Sequence, residues 1–206
     1  MCSSDLVPVL IARARCLALT GDQAAARASL AQAAEAVEQL HLTMGQILVD
    51  QTTGLACSLD GEHREAERHF RRAATALEQA GHVPVALTLR VQAVRERARQ
   101  DPTPAAAAEI MELLGHRGEM DSRGRLLCTS AAVRVGGGTA ELRGEVLSLL
   151  ERTDDPCLRG EAYFDLAQAR RHLGDHDGAR DMARAAIDSY ATIGATRPMR
   201  LVRSWM

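Results

Sequence analysis

The sequence predicts an all-α fold, an α-solenoid of about five antiparallel helical hairpins. One observation is internal repetition: three Gly-acid pairs are each followed by apolar residues at the same offsets of 5, 9 and 12 positions. These segments begin at Gly21-Asp22, Gly61-Glu62 and Gly174-Asp175. A second observation is that the intervening segments carry apolar residues at helical spacing, as in Ala26, Leu30, Ala33 and Val37. The third is a scarcity of aromatic residues, which favours closely packed helices over strands.

Turn signals divide the chain into repeated hairpins. The turns recur at 21, 61, 101, about 137 and 174, a period near 40 residues. Units of this length bury their apolar faces only against their neighbours when they stack. We therefore predict one domain over residues 1–206, with hairpins at 6–40, 43–80, 84–114, 121–151 and 157–194. The last segment, 197–206, is either a cap on the solenoid or a truncated repeat.

Signals for helix ends agree with these boundaries. Four carboxylates are placed to accept hydrogen bonds from free backbone N–H groups at helix N-termini. They are Asp22, Asp101, Asp155 and Asp175, and Asp101 and Asp155 are each followed by proline. Three glycines are placed to end helices in the left-handed conformation: Gly81, Gly115 and Gly194. The run Gly136–Gly138 lacks the strand and the lysine of a phosphate-binding loop, and we interpret it as a turn between helices.

The composition excludes several classes of protein. Hydrophobic residues make up 46% of the chain, which excludes a disordered segment, and the five aromatic residues leave a core of Ala, Leu and Val. A net charge of −2 gives no overall attraction to nucleic acid or to anionic lipid. The five cysteines, at 2, 16, 57, 128 and 157, form no metal or disulfide pattern, and we expect small buried residues in a reducing cytoplasm. No apolar run spans a membrane and no signal peptide is present, so we expect a cytoplasmic protein.

Catalytic and metal-binding patterns are missing from the sequence. It contains no G-x-S-x-G, no G-x-x-x-x-G-K and no H-E-x-x-H motif. His172 and His176 are separated by the Gly174-Asp175 turn, so they do not share a helix face. His63 and Glu67 do share a face, and we expect a solvated surface with ion-pair partners there rather than a metal site. We therefore expect no enzyme, no cofactor and no metal.

The repeated residues resemble tetratricopeptide repeats. That family combines small residues in the first helix, a Gly-Asp turn, and an Ala, a bulky residue and an Ala in the second helix. The resemblance rests on Gly54, Gly61, Ala66, Phe70 and Ala73 in the second hairpin, on Tyr163, Leu166, Ala167, Gly174, Ala179 and Ala186 in the fifth, and on Gly21, Ala26, Leu30 and Ala33 in the first. The third hairpin keeps only Ala106, Ile110 and Leu113, and the fourth is degenerate.

The resemblance implies a right-handed superhelix that binds partners on its concave face. A period near 40 exceeds the 34 residues usual in the family and is similar to the helical sensor regions of LuxR-type and maltose-activator-like regulators, antibiotic-regulatory-protein-type activators and ATPase-linked nucleotide cyclases. We therefore expect an interaction scaffold or regulatory module, with an output domain in a longer parent chain. The alternative is a region of such a regulator that senses a small molecule.

The first helices of the hairpins supply the candidate binding residues. Counted from the aligned turns, the inward positions are Arg15 and Leu19, then Gln51, Leu55 and Ser58, then Arg95 and Arg99, then Gln168 and Arg171. The Lys and Asn of the family's chaperone-binding clamp are replaced by Ile11-Ala12 and Gln51-Thr52, which disfavours that class of partner. The arginines suit an acidic peptide, or they are merely the default surface cation of a chain without lysine. The segment Arg90–Arg99 lacks aromatic residues, so we expect a solvated face and no nucleic-acid binding.

Overall fold

The computed structural model describes residues 3–206, with residues 3–5 and 137 described by their backbone alone. Its helices are α1 (Ser3–Thr20), α2 (Gln23–Gln39), α3 (Thr43–Asp60), α4 (His63–Gln79), α5 (Val83–Gln100), α6 (Pro104–Gly115), α7 (Ser122–Ala132), α8 (Ala140–Glu151), α9 (Pro156–His172), α10 (His176–Ala191) and α11 (Thr196–Trp205). A 3-10 turn at Arg117–Glu119 precedes α7, and a π turn at Val133–Gly137 follows it. No strand occurs in residues 3–206, so the predicted all-α class is confirmed.

The chain divides into two compact units. Unit 1 ends at Gln100 and contains α1 to α5, and unit 2 begins at Asp101 and contains α6 to α11. The boundary divides the third predicted hairpin, 84–114, between the two units. Stacking of all five hairpins into one solenoid stays a prediction.

The repeated Gly-acid pairs form one kind of turn. Each glycine has a positive φ, which a glycine adopts without the steric cost that a side chain would add. The acidic residue then donates its backbone N–H to a carbonyl five residues earlier, which satisfies a free carbonyl at the helix end. These bonds are Asp22 N to Leu17 O at 2.9 Å, Glu62 N to Cys57 O at 2.9 Å and Asp175 N to Arg170 O at 3.0 Å.

Helix ends confirm some predicted signals and correct others. The side chains of Asp22, Asp155 and Asp175 cap α2, α9 and α10 as predicted. The cap predicted at Asp101 is wrong: Thr103 caps α6, since its hydroxyl accepts from the Ala106 N–H. The left-handed conformation predicted for Gly115 is also wrong, because this glycine is the last residue of α6 and its φ is not positive.

Small residues allow close helix packing in unit 1. Clusters of Ala, Leu and Val join α1 to α2 and α3, and a further cluster around Phe70 joins α3, α4 and α5. An ideal Cβ built on Gly54 of α3 would lie only 2.8 Å from the Phe70 ring. The glycine is therefore required by the approach of α4, because real Cβ atoms do not come that close to a ring.

Unit 2 repeats this packing with other residues. In the α9–α10 hairpin, a Cβ on Gly160 would lie 2.6 Å from the Tyr190 ring. The Trp205 ring of α11 meets Phe164 of α9 edge to face, with 5.4 Å between ring centroids. The α11 segment, predicted as a cap or a truncated repeat, thus packs on the last hairpin within this unit.

Candidate functional site

One row of side chains on α3 leaves an uncharged surface open to solvent. Met44, Leu48, Gln51 and Leu55 are spaced along one face of the helix and form what we call the α3 stripe. Met44 is 48% exposed and Leu48 is 41% exposed, while Gln51 and Leu55 are partly buried. The only charged residue of α3 before Asp60 is Asp50, which is buried. In a chain with 25% charged residues, an 18-residue helix with this face is unusual.

The surface of the neighbouring helix α4 is rich in charged side chains. Its exposed positions include Arg64, Arg68 and Arg72, and its acidic residues pair with them or with their neighbours. Arg68 pairs with Glu65, and the Arg71 Nε donates to Glu67 Oε1 at 2.9 Å. Most of the charge on α4 is thus neutralised by nearby partners, as on an ordinary solvated helix.

A buried carboxylate fixes the rear of α3 to α4. Asp50 is 2% exposed, and its carboxylate accepts from both Arg72, whose Nε lies 2.7 Å from Oδ2, and His69, whose Nδ1 lies 3.0 Å from Oδ1. Burial by itself would raise the pKa of the Asp50 carboxyl. The bonds from His69 and Arg72 outweigh burial, so the pKa lies below its usual range and the group is ionised.

A second buried carboxylate joins α5 to α3 and α4. Glu96 is 3% exposed; Ser58 Oγ donates to its Oε1 at 2.9 Å, and His63 Nδ1 lies 2.8 Å from its Oε2. Arg99 also pairs with it. Burial would raise the pKa of the Glu96 carboxyl, but the Arg99 charge and the bonds from His63 and Ser58 lower it to about 2. Both carboxylates therefore hold α3 in a fixed position relative to its neighbours.

The Ser58, His63 and Glu96 cluster does not have the geometry of a nucleophilic centre. An activated serine donates its proton to a histidine, whereas Ser58 donates to the carboxylate itself. Its hydroxyl is consequently used in joining two helices. Among the described residues, no group of three His, Cys, Asp or Glu side chains is placed to hold a metal ion.

The cysteines divide into buried and exposed positions. Cys57, Cys128 and Cys157 are buried as predicted, and Cys2 lies outside the described residues. Burial, together with the bond to Glu62, raises the pKa of the Cys57 thiol to about 11, so this thiol stays protonated and unreactive. The burial predicted for Cys16 is wrong, because α1 presents it to solvent.

The structure places the predicted binding residues of unit 1 in different environments. Gln51 and Leu55 belong to the α3 stripe, and Arg15 is exposed on α1. Arg95 is only 2% exposed, because it lies among buried residues of α5, so the prediction of a solvated face over Arg90–Arg99 is wrong at its centre. Arg99 is used within the unit, since it pairs with Glu96 and its Nη1 donates to Ser58 Oγ at 3.2 Å.

Two further predicted residues lie in unit 2. Gln168 of α9 is partly buried. Arg171 is exposed, but it contacts the C-terminal helix: its guanidinium carbon lies 4.9 Å from the Trp205 ring centroid, and its Nη1 donates to the Trp205 carbonyl at 2.8 Å. These two residues therefore belong to a different unit from the α3 stripe.

Three buried carboxylates were not predicted from the sequence: Asp50, Glu96 and Asp165. Asp165 of α9 accepts from Ser130 Oγ at 2.9 Å and faces Arg134 in unit 2. The signal that could have revealed them is their position on an apolar row: Ile47, Asp50, Gly54 and Cys57 share one buried face. His63, expected on a solvated surface, is instead a half-buried partner of Glu96, and His69 is a half-buried partner of Asp50.

Comparisons with known proteins add no assignment. No protein-family model, curated protein or solved structure matches the chain. In the part of the chain that the structure describes, no helix is long and apolar enough to cross a membrane.

Proposed function

We propose that this protein is an interaction module that binds a peptide or protein segment on the α3 stripe of unit 1. The observation that carries the proposal is the uncharged, half-apolar outer face of α3, which lies beside α4, a helix with several exposed charged side chains. Contiguous exposed apolar side chains on a soluble chain are typical of surfaces that a partner covers. Covering the half-exposed side chains of Met44 and Leu48 contributes about 1 kcal/mol each.

Gln51 supports the same proposal through its polar group. It lies between Leu48 and Leu55 on the stripe, and its amide has no hydrogen-bond partner among the described residues. A side-chain amide offers both a donor and an acceptor, which suits the backbone of a bound segment. The stripe thus combines apolar contact with one group able to fix the orientation of the partner.

The buried carboxylates make this surface rigid before a partner arrives. Asp50 holds the far side of α3 to α4, and Ser58, one turn beyond Leu55, joins the C-terminal end of α3 to Glu96 of α5. A preformed surface loses less conformational entropy on binding, which leaves more of the contact energy for affinity. In this proposal the ionised networks have a structural role: they hold α3, which carries the binding face, in place. Extended by the resemblance stated above, the module would serve a bacterial signalling or transcription regulator.

Photo-crosslinking tests the proposal directly. A benzophenone amino acid replaces Leu48 in the chain, expressed in the cells that naturally make it, and a matched variant carries it at Arg68 of α4. We expect a crosslinked protein of defined mass from position 48 that is not formed from position 68. Identical products from both positions, or none from position 48, would contradict the proposal. A small molecule that raises the melting temperature without any crosslinked protein would support the sensor alternative.

A further inference from the structure

Surface arginines in unit 1 are almost all neutralised within the unit. The pairs are Arg27 with Asp60 and Glu62, Arg68 with Glu65, Arg71 with Glu67, Arg72 with Asp50, Arg90 with Glu78, and Arg99 with Glu96. Three exposed arginines have no carboxylate partner among the described residues: Arg64 of α4, which faces the Gln100 amide, and Arg13 and Arg15 of α1. From Leu6 to Thr20, α1 contains no acidic residue at all.

Arg15 lies on the side of α1 that continues towards α3. Ile11 and Leu19 stand one turn before and after it on the same helix face. Ile11 packs on a core cluster that includes Val49 of α3, and Leu19 packs on a cluster that includes Ala56 of α3. Arg13 is two residues from Arg15, about 200° around the helix, and points away from that face.

Neither residues 6–20 of α1 nor α3 offers a free carboxylate to balance this charge. Asp50 is buried and paired with Arg72, and Asp60 is paired with Arg27. The surface made by Arg15 and the stripe is therefore apolar with an uncompensated positive charge. Such a surface attracts an acidic segment and disfavours a basic one.

We propose that the segment bound at the α3 stripe is acidic as well as apolar, with a carboxylate that pairs with Arg15. The inference rests on the function proposed above and names the chemistry of the partner. The planar guanidinium of Arg15 matches a carboxylate with two parallel hydrogen bonds. The large apolar side chains of the segment contact Met44 and Leu48, and its backbone meets Gln51.

Selection from a random dodecapeptide library displayed on phage tests this inference without knowledge of the natural partner. The full chain is immobilised, and the enriched peptides are synthesised with a fluorescent label for anisotropy titrations. We expect enriched peptides that combine Asp or Glu with Leu, Ile, Met or Phe. Their affinity should fall several-fold when NaCl rises from about 0.1 M to about 1 M, which shortens the Debye length from about 10 Å to about 3 Å.

Charge reversal on α1 provides matched variants. Arg15→Glu should weaken binding of the selected peptides at least tenfold, whereas Arg13→Glu makes the same change in net charge on another face and should weaken it less than threefold. Peptides without acidic residues, or equal losses for the two variants, would overturn the inference. Leu48→Glu separates the two proposals: if it abolishes binding while Arg15→Glu has no effect, the α3 stripe still binds but the charge assignment fails. If Leu48→Glu has no effect, or if no peptide is enriched, the proposed function fails as well.

Discussion

Replacement of Glu96 by glutamine tests the buried network that joins α5 to α3 and α4. The substitution Glu96→Gln keeps the shape of the side chain and removes the charge that faces Arg99, His63 and Ser58. Because the side chain is 4% exposed, water does not screen this change appreciably. We expect unit 1 to lose stability near neutral pH and the loss to shrink in acid.

The magnitude follows from the pKa of the Glu96 carboxyl. Folding lowers this pKa from 4.5 to about 2, and each unit corresponds to about 1.4 kcal/mol, so the ionised carboxylate contributes about 3 kcal/mol. Because folding lowers this pKa, the carboxylate contributes its full stability at pH values above 4.5, the pKa in the unfolded chain. The contribution is lost as the pH falls towards about 2, the pKa in the folded protein. The free energy of unfolding should thus differ between wild type and Glu96→Gln by about 3 kcal/mol near pH 7 and by about 1 kcal/mol near pH 2.5.

Urea unfolding, followed by far-UV circular dichroism across this pH range, measures the difference. Asp50 also has a lowered pKa, but both proteins contain it, so its contribution cancels. Glu35→Gln on the exposed face of α2 is the control and should change the free energy of unfolding by less than about 0.5 kcal/mol at every pH. Hydrogen exchange should locate the loss in α3, α4 and α5. A gap between wild type and Glu96→Gln that stays the same from neutral to acidic pH would refute the reasoning.

Three further substitutions test the packing. Gly54→Ala places a methyl group 2.8 Å from the Phe70 ring and should lower the free energy of unfolding by about 1–3 kcal/mol. Gly144→Ala, with open space around it, should raise the free energy of unfolding by up to about 1 kcal/mol, and chemical denaturation compares the two variants. His41 has a φ of 52°, so His41→Gly should raise the free energy of unfolding by about 0.5–1 kcal/mol, and a lower melting temperature would argue against this. Trp205→Ala removes the ring contacts and should speed amide exchange in α11 while α9 stays protected; unchanged exchange in α11 would contradict that role.

The helices could be predicted because their signals are local. Each Gly-acid pair marks a turn whose geometry only the neighbouring residues determine, and the rows of Ala and Leu mark the buried side of each helix. The errors also have local causes. Asp101 and Thr103 are both capping residues followed by a proline, and α6 begins after Thr103 because Pro104 disfavours helical backbone at the residue before it.

The site could be predicted only in part, because burial of a charge depends on distant partners. Asp50 and Arg72 are 22 residues apart, and Ser58 and Glu96 are 38 apart. Helical periodicity places an isolated charged residue on the solvent side. Only the packing of α3, α4 and α5 against one another reveals these pairs. The counting from the aligned turns selects Gln51 and Leu55, which the structure leaves partly exposed, and Arg95 at the equivalent place in α5. Arg95 is buried among residues that sequence alone does not identify as its neighbours.

The central claim is that a protein partner binds the α3 stripe. The measurement that tests it most directly is the affinity of the crosslinked partner, once purified, for Leu48→Glu and for Ala31→Glu, which adds the same charge to the exposed face of α2. A charge placed in a contact that excludes water costs about 2 kcal/mol or more, so we predict at least a tenfold loss of affinity for Leu48→Glu and less than a twofold change for Ala31→Glu. Equal affinities of the two variants, with both still folded by circular dichroism, would contradict the claim.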